Sequence, residues 1–183
     1  MLALFLLMGA FAGAGGLSAD IYRMAYSLVG HWRGGLCMAT VGGCAGFGAV
    51  CGSSVATTAT MARIALPEML NRGYRPTLAS GVIAAGGTLG MLIPPSVVMI
   101  LYGILTEQFV IALFAAAIIP GLLTVAFYFA TIAIYVRISP DAGPAGPRVP
   151  WAKRLVVVGE SWRVIVLAIV VSGGIYSGVF TVT

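Results

Sequence analysis

Charge is what this chain has least of: only 8% of its 183 residues are Asp, Glu, Lys or Arg, and just five of those are acidic. Soluble domains carry about 25% charged residues, so a water-soluble enzyme is excluded. A disordered chain, which needs low hydropathy and high charge, is excluded with it. Histidine is nearly absent, and the single His31 offers too few ligands for a metal centre. Cysteine is confined to Cys37, Cys44 and Cys51, an odd number at a spacing of seven. That spacing places all three on one face of a helix, where they read as small packing residues and not as a disulfide set. A basic leader is also missing: Met1 runs straight into Leu2-Ala3-Leu4-Phe5, so the N-terminal apolar run does not read as a secretory signal.

What the chain has instead is apolar length. Hydrophobic residues make up 60% of it, and the uncharged runs 34–62, 77–106, 108–136 and 164–183 each reach the length of a bilayer-spanning helix, with 1–19 close behind. About 20 apolar residues cross a hydrocarbon core of about 30 Å. The class is all-α integral membrane. A net charge of +5 comes from ten Lys and Arg scattered between apolar runs, which reports membrane orientation and not nucleic-acid binding.

Along the chain, 1–17 reads as a membrane helix whose glycines mark close helix contact. Residues 20–33 carry Ile21, Met24, Ala25, Leu28, Val29 and Trp32 on one stripe opposite Asp20, Arg23, Ser27 and His31, which predicts a helix lying in the membrane surface. The uncharged stretch 35–61 is rich in glycine and holds Ser53-Ser54 near its middle, with Thr57, Thr58 and Thr60 beyond. A solvated connection follows, in which Glu68, Arg72 and Arg75 form an exposed polar face and Pro76 starts the next helix. Run 77–106 contains Pro94-Pro95, which removes two backbone donors and breaks the helix near its centre. Residues 109–136 form a conventional span. Residues 138–163, rich in proline and glycine, make a cytoplasmic linker and interfacial segment, and 164–183 begin a further span.

Orientation decides what 35–61 does. If it crosses the membrane once, two basic residues lie on one side and eight on the other; if it dips in and returns, all ten share a side. The second arrangement satisfies the positive-inside rule fully. The stretch has the length for two half-depth helices of about 18 Å each, with Gly52-Ser53-Ser54 at the tip, so a re-entrant hairpin is expected.

Irregular backbone at membrane depth survives only where protein buries it or a water-filled cavity faces it. Two breaks in one short chain therefore suggest a site. Gly52, Ser53, Ser54, Gly90, Pro94 and Ser96 supply hydroxyls and freed carbonyls, an all-oxygen set suited to a dehydrated Na⁺. Half-helix N-termini beside the same breaks suit a substrate carboxylate, with Ser54, Thr57, Pro95 and Ser96 as candidate contacts. The competing reading of Thr57, Thr58 and Thr60 is local: such hydroxyls usually bond back to the carbonyl four residues earlier.

Several motifs in order resemble one family. Gly52-Ser53-Ser54-Val55-Ala56-Thr57, then Ile64-Ala65-Leu66-Pro67-Glu68-Met69 with Arg72-Gly73-Tyr74, then Gly86-Gly87-Thr88-Leu89-Gly90 and Leu92-Ile93-Pro94-Pro95-Ser96, are similar to the large membrane subunit, DctM type, of TRAP transporters. His31-Trp32-Arg33-Gly34-Gly35-Leu36 and Gly173-Gly174-Ile175-Tyr176 extend the likeness over nearly the whole chain. The resemblance implies a Na⁺-driven elevator importer of an organic acid such as a dicarboxylate. It also implies inverted repeats, each with a re-entrant hairpin and a broken helix, in a multi-pass protein of the bacterial inner membrane. The implied partners are a small TRAP membrane subunit and a periplasmic solute-binding protein; Na⁺ is the coupling ion and no other cofactor is implied. Residues 1–137 would be the first repeat, and the chain is expected to be a fragment or split gene product, since a complete subunit has a second repeat. Val182 stands where the family usually has proline.

Two other readings compete: a structural subunit or fragment that does not transport alone, and, less favoured, an intramembrane serine hydrolase. The hydrolase lacks a Gly-x-Ser-x-Gly motif at 52–56 and a histidine near the tip, and no residue reads as catalytic.

Overall fold

The computed structural model describes residues 15–146 continuously, together with residue 11 and isolated positions between 159 and 174. The expected first helix over 1–17, most of the linker and the span beginning at 164 lie outside the continuously described residues. Those residues are helical, with no strand among them: α1 (Leu17–Val29), α2 (Gly35–Cys51), α3 (Ser54–Asn71), α4 (Pro76–Gly87), α5 (Leu89–Leu92), α6 (Val97–Leu105) and α7 (Val110–Ile138), followed by a 3-10 turn at Pro140–Ala142.

One described helix, Val110–Ile138, is long and apolar enough to cross a membrane, with a mean hydropathy of 2.5. Pro76–Leu92 and Val97–Leu105 together would make a second, bent by 43° at the break.

Helix α1 differs from the surface helix expected over 20–33. It starts at Leu17, stops at Val29, and lies antiparallel along α2. The reason is the absence of side chains on α2: positions that a Cβ would occupy at Gly42, Gly43 and Gly46 lie 3.5, 3.6 and 3.0 Å from Ala25, Tyr22 and Ile21. The face buried is therefore Ser18, Ile21, Tyr22 and Ser27, while Leu28 and Trp32 of the expected stripe are left outside.

Helices α2 and α3 form an antiparallel hairpin. At its tip Gly52 takes the left-handed conformation at φ 61°, which favours glycine, and Ser53 turns extended to cap α3 by accepting from the Ala56 amide at 3.4 Å. Midway, Met61 packs against Gly43, and at the base the Leu36 amide donates to the Tyr74 hydroxyl at 3.3 Å. The second arm is longer than expected, running past 61 to Asn71. Met61, Ala65 and Met69 keep a fully buried stripe at four-residue intervals, and Glu68 pairs with Arg72 one turn on. Pro67, exposed on the far side, is tolerated within it. The three cysteines are free and buried, as their spacing suggested.

The start of the linker is not a loose aqueous segment. Residues 139–146 fold back over the hairpin base: Gly34 donates to Gly143 O at 3.1 Å, Arg75 to Ala142 O at 3.2 Å and Gly146 to Gly30 O at 3.1 Å. Tyr74 pins the junction by donating its hydroxyl to Pro144 O at 2.8 Å. Beside it, Arg72 donates to Tyr26 Oη at 2.6 Å and to Glu68 at 2.8 Å, tying α1 to the end of α3. The polar face expected at Glu68 and Arg72 is thus part of a clamp.

Replacing Tyr74 by phenylalanine leaves the Leu36 amide and Pro144 carbonyl without this partner, at an expected cost of about 1–3 kcal/mol. The thermal unfolding midpoint of the purified chain should fall by several degrees. Burial pushes the Tyr74 hydroxyl up to about 12. A raised acid favours the neutral form, so the contribution is complete below the ordinary tyrosine range near about 10 and is lost as pH climbs from there through the raised value.

Candidate functional site

Helix α4 runs beside both hairpin arms and brings the second break to the hairpin tip. Close approach is again built on glycine. A Cβ at Gly48 would meet Gly90 Cα at 2.6 Å; one at Gly90 would meet Thr57 Oγ1 at 2.6 Å and the Ser53 carbonyl at 2.9 Å; one at Gly87 would collide with the Thr58 hydroxyl. The Val97 amide donates to the Gly52 carbonyl at 3.1 Å, joining the tip directly to the far side of the break.

Four helix ends converge here. The C-termini of α2, at Gly52, and of α5, at Leu92, present carbonyls whose partial charge is negative; the N-termini of α3 and α6 present amides whose partial charge is positive. Cations suit the first pair and anions the second.

Each candidate residue has a definite place. Gly52 and Gly90 are buried at the tip-to-break contact. The Ser53 carbonyl is crowded, accepting from the Thr57 amide at 3.0 Å and the Thr57 hydroxyl at 2.7 Å. Thr57 is fully buried, with Cys51 Sγ at 3.1 Å from its hydroxyl. Thr58 likewise bonds back to Ser54 O at 2.8 Å, so both threonines make the local bond that membrane helices favour. Ser96 is fully buried and donates to Met91 O at 2.7 Å, bridging the break from one side to the other. Pro94 and Pro95 lie in the bent, non-helical segment between α5 and α6, and the bond between them is cis.

The candidates divide between two surroundings. Gly52, Thr57 and Gly90 are buried at the tip-to-break contact with the half-buried Ser53 beside them, and Pro95 and Ser96 are buried in the break. Ser54 instead lines an open groove of about 420 Å³ with Thr58, Ala84, Thr88 and Met91. Thr58, which the sequence suggested only for a local back-bond, and Thr88, which it did not single out, line this groove. Thr88 donates to Ala85 O at 2.7 Å and lies 3.2 Å from Tyr128 Oη on α7. Its position straight after Gly86-Gly87 was the available signal, because a glycine pair that admits a neighbouring helix also sets the next polar side chain at that helix's edge.

The chain is similar along its whole length to known proteins. The model of the tripartite ATP-independent periplasmic transporter, DctM component, matches residues 1–183. The C4-dicarboxylate TRAP transporter large permease protein DctM of Pseudomonas aeruginosa is 41% identical over 179 residues, covering 98% of this chain and 42% of that protein. Its namesake in Vibrio cholerae is 40% identical over 179 residues, covering 98% of this chain and 39% of the relative. The chain thus spans about two-fifths of the length of the relatives it matches. Others are named for isethionate, ectoine and sialic acid. These relatives are membrane permeases and not enzymes, and the chain belongs to their family, the DctM component of tripartite ATP-independent periplasmic transporters.

Proposed function

We propose that this chain supplies the first ion-binding half of a multi-pass inner-membrane permease that imports an organic acid on the Na⁺ gradient. A small membrane subunit and a periplasmic binding protein complete the assembly. The observation that carries this reading is the contact between the Gly52-Ser53 tip and the Gly90–Ser96 break, where two helix C-termini meet in buried surroundings.

A Na⁺ in that interior would be coordinated by main-chain carbonyls of the tip and break, with the Ser53 hydroxyl as a further ligand. Oxygen ligands suit a hard cation, and the carbonyl ends of half-helices supply negative potential without a buried carboxylate. The substrate anion is assigned to the outer side of the same breaks, where the N-terminus of α3 and the hydroxyls of Ser54, Thr58 and Thr88 border the open groove. Relatives named for dicarboxylate, isethionate, ectoine and sialic acid leave the class at organic acids in general.

Depth along α7 supports the re-entrant placement of the hairpin. The break packs on Gly121, with a Cβ there lying 3.4 Å from Ile93. Helix α7 continues from that level back to Val110, about 17 Å further at 1.5 Å per residue. On this reading the hairpin, whose tip meets the break at that level, ends inside the bilayer.

The test is uptake by the complete permease with its partner proteins in proteoliposomes. Ser53→Ala with Ser54→Ala should raise the Na⁺ concentration for half-maximal uptake about tenfold, equivalent to about 1.4 kcal/mol. An unchanged Na⁺ dependence removes the ion site from this location.

A further inference from the structure

The cysteines at a spacing of seven read from the sequence as packing residues, and Cys44 is one: a Cβ at Gly86 would lie 3.0 Å from its sulfur, so the thiol fills the seam between α2 and α4. Cys51 has a different setting. It is the last residue of α2, fully buried, and its thiol reaches across the tip to the first turn of α3. There the sulfur lies 3.1 Å from the Thr57 hydroxyl and 3.6 Å from the Ser53 carbonyl oxygen.

Counting protons gives these bonds a direction. A threonine hydroxyl has one proton and two lone pairs. Thr57 gives its proton to the Ser53 carbonyl at 2.7 Å, so towards Cys51 its oxygen can only accept. The thiol is therefore the donor at 3.1 Å, and the chain of bonds runs from Cys51 through Thr57 to the Ser53 carbonyl. The Thr57 amide adds a further bond to the same carbonyl at 3.0 Å. A thiol is a weak donor, but in a dry interior successive hydrogen bonds polarise and strengthen one another.

What this chain of bonds holds is the surface that meets the break. A Cβ at Gly90 would lie 2.6 Å from Thr57 Oγ1 and 2.9 Å from the Ser53 carbonyl oxygen, so Gly90 rests on both acceptors. Turning Thr57 to exchange its hydroxyl for its methyl would set a bulkier group against Gly90 and release the Ser53 peptide. The thiol opposes that turn, because it loses its acceptor when the hydroxyl leaves.

We propose that Cys51 is a positioning residue for the ion site: through Thr57 it fixes the Ser53 peptide, and with it the Ser53 hydroxyl, in the orientation that receives Na⁺. The inference rests on the ion site proposed above. The sulfur itself does not ligate the ion, since a hard cation takes oxygen ligands.

The test is equilibrium binding of radiolabelled Na⁺ to the complete permease in detergent, with thermal unfolding followed in parallel. Cys51→Ala should raise the Na⁺ concentration for half-saturation about fivefold, the size of one lost hydrogen bond, while the unfolding midpoint stays within a few degrees of wild type. Cys51→Ser keeps a proton donor at the same place and should remain within about twofold of wild type. Thr57→Val has the shape of threonine without the hydroxyl; it should weaken binding at least as much as Cys51→Ala, and in its background Cys51→Ala should add nothing. Equal weakening by Cys51→Ala and Cys51→Ser, or additive effects of Cys51→Ala and Thr57→Val, would show that the sulfur only packs, and overturns the inference. If Cys51→Ala fails to fold, unchanged Na⁺ binding in folded Thr57→Val overturns it as well. Unchanged binding in Cys51→Ala overturns this inference alone where Ser53→Ala with Ser54→Ala weakens binding in the same assay; if the serine pair is also without effect, the ion site falls and the inference falls with it.

Discussion

Gly48→Leu is expected to drive the hairpin away from the broken helix and abolish cooperative unfolding of the chain. A Cβ at this position would lie 2.6 Å from Gly90 Cα and 3.0 Å from Gly90 N. Overpacking costs about 1–3 kcal/mol where side chains can yield, but here the obstacle is main chain and the whole helix must move. The Gly48 carbonyl also accepts from the Gly52 amide at 2.7 Å, so displacement reaches the left-handed turn at the tip. The loss should exceed about 3 kcal/mol, among the large values that mark a specific structural failure. Gly81→Ala is the control: it meets open space on the same helix layer, and alanine is the better helix former by about 1 kcal/mol. Thermal unfolding in detergent distinguishes them. Gly48→Leu should lose its transition while Gly81→Ala keeps it, and a Gly48→Leu transition within a few degrees of wild type would show that the two breaks do not touch there.

The parts of this architecture that were legible in the sequence are those fixed by local chemistry. Pro94-Pro95 must interrupt a helix whatever surrounds it, Pro76 suits a first helical turn, and Gly52-Ser53 pairs a left-handed residue with a capping hydroxyl. The structure has helix ends at all three places. The places that misled are those where tertiary packing overrides local pattern. The stripe from Ile21 to Trp32 has the period of a surface helix, but Gly42, Gly43 and Gly46 open a groove in α2 that draws Ser18 and Tyr22 inward and leaves Trp32 out. Pro67 and the charges around it suggested a connection, yet the buried stripe through Met61, Ala65 and Met69 carries the helix past them to Asn71. The linker looked aqueous because nothing in its composition shows that Gly34, Arg75 and Gly30 offer main-chain partners across the hairpin base. At the site, sequence spacing named the interior residues but not Thr58 and Thr88, whose shared groove exists only once Gly87 admits α3.

The division between the interior and the groove gives the two sides of the breaks different sensitivities. Thr57 and Ser96 are fully buried and bond to main chain, so removing a hydroxyl there disturbs the geometry of the carbonyls. Ser54 and Thr88 border open space, and on the function proposed above truncating them should alter substrate affinity while leaving the fold intact.

The central claim is that α2 and α3 enter and leave the bilayer on one face. The Leu36–Tyr74 hydrogen bond closes the hairpin base, and the break that meets the tip packs on Gly121 of the long apolar helix. The alternative, in which the hairpin residues cross the membrane, puts its two ends on opposite faces. The difference is all or none and can be read by thiol accessibility. With Cys37, Cys44 and Cys51 replaced by alanine, single cysteines are placed at Arg33, Asn71 and Gln108, all exposed positions, and a membrane-impermeant maleimide is applied to right-side-out and inside-out vesicles. The account predicts that positions 33 and 71 label from the same side and 108 from the other. Labelling of 33 and 71 from opposite sides would contradict it.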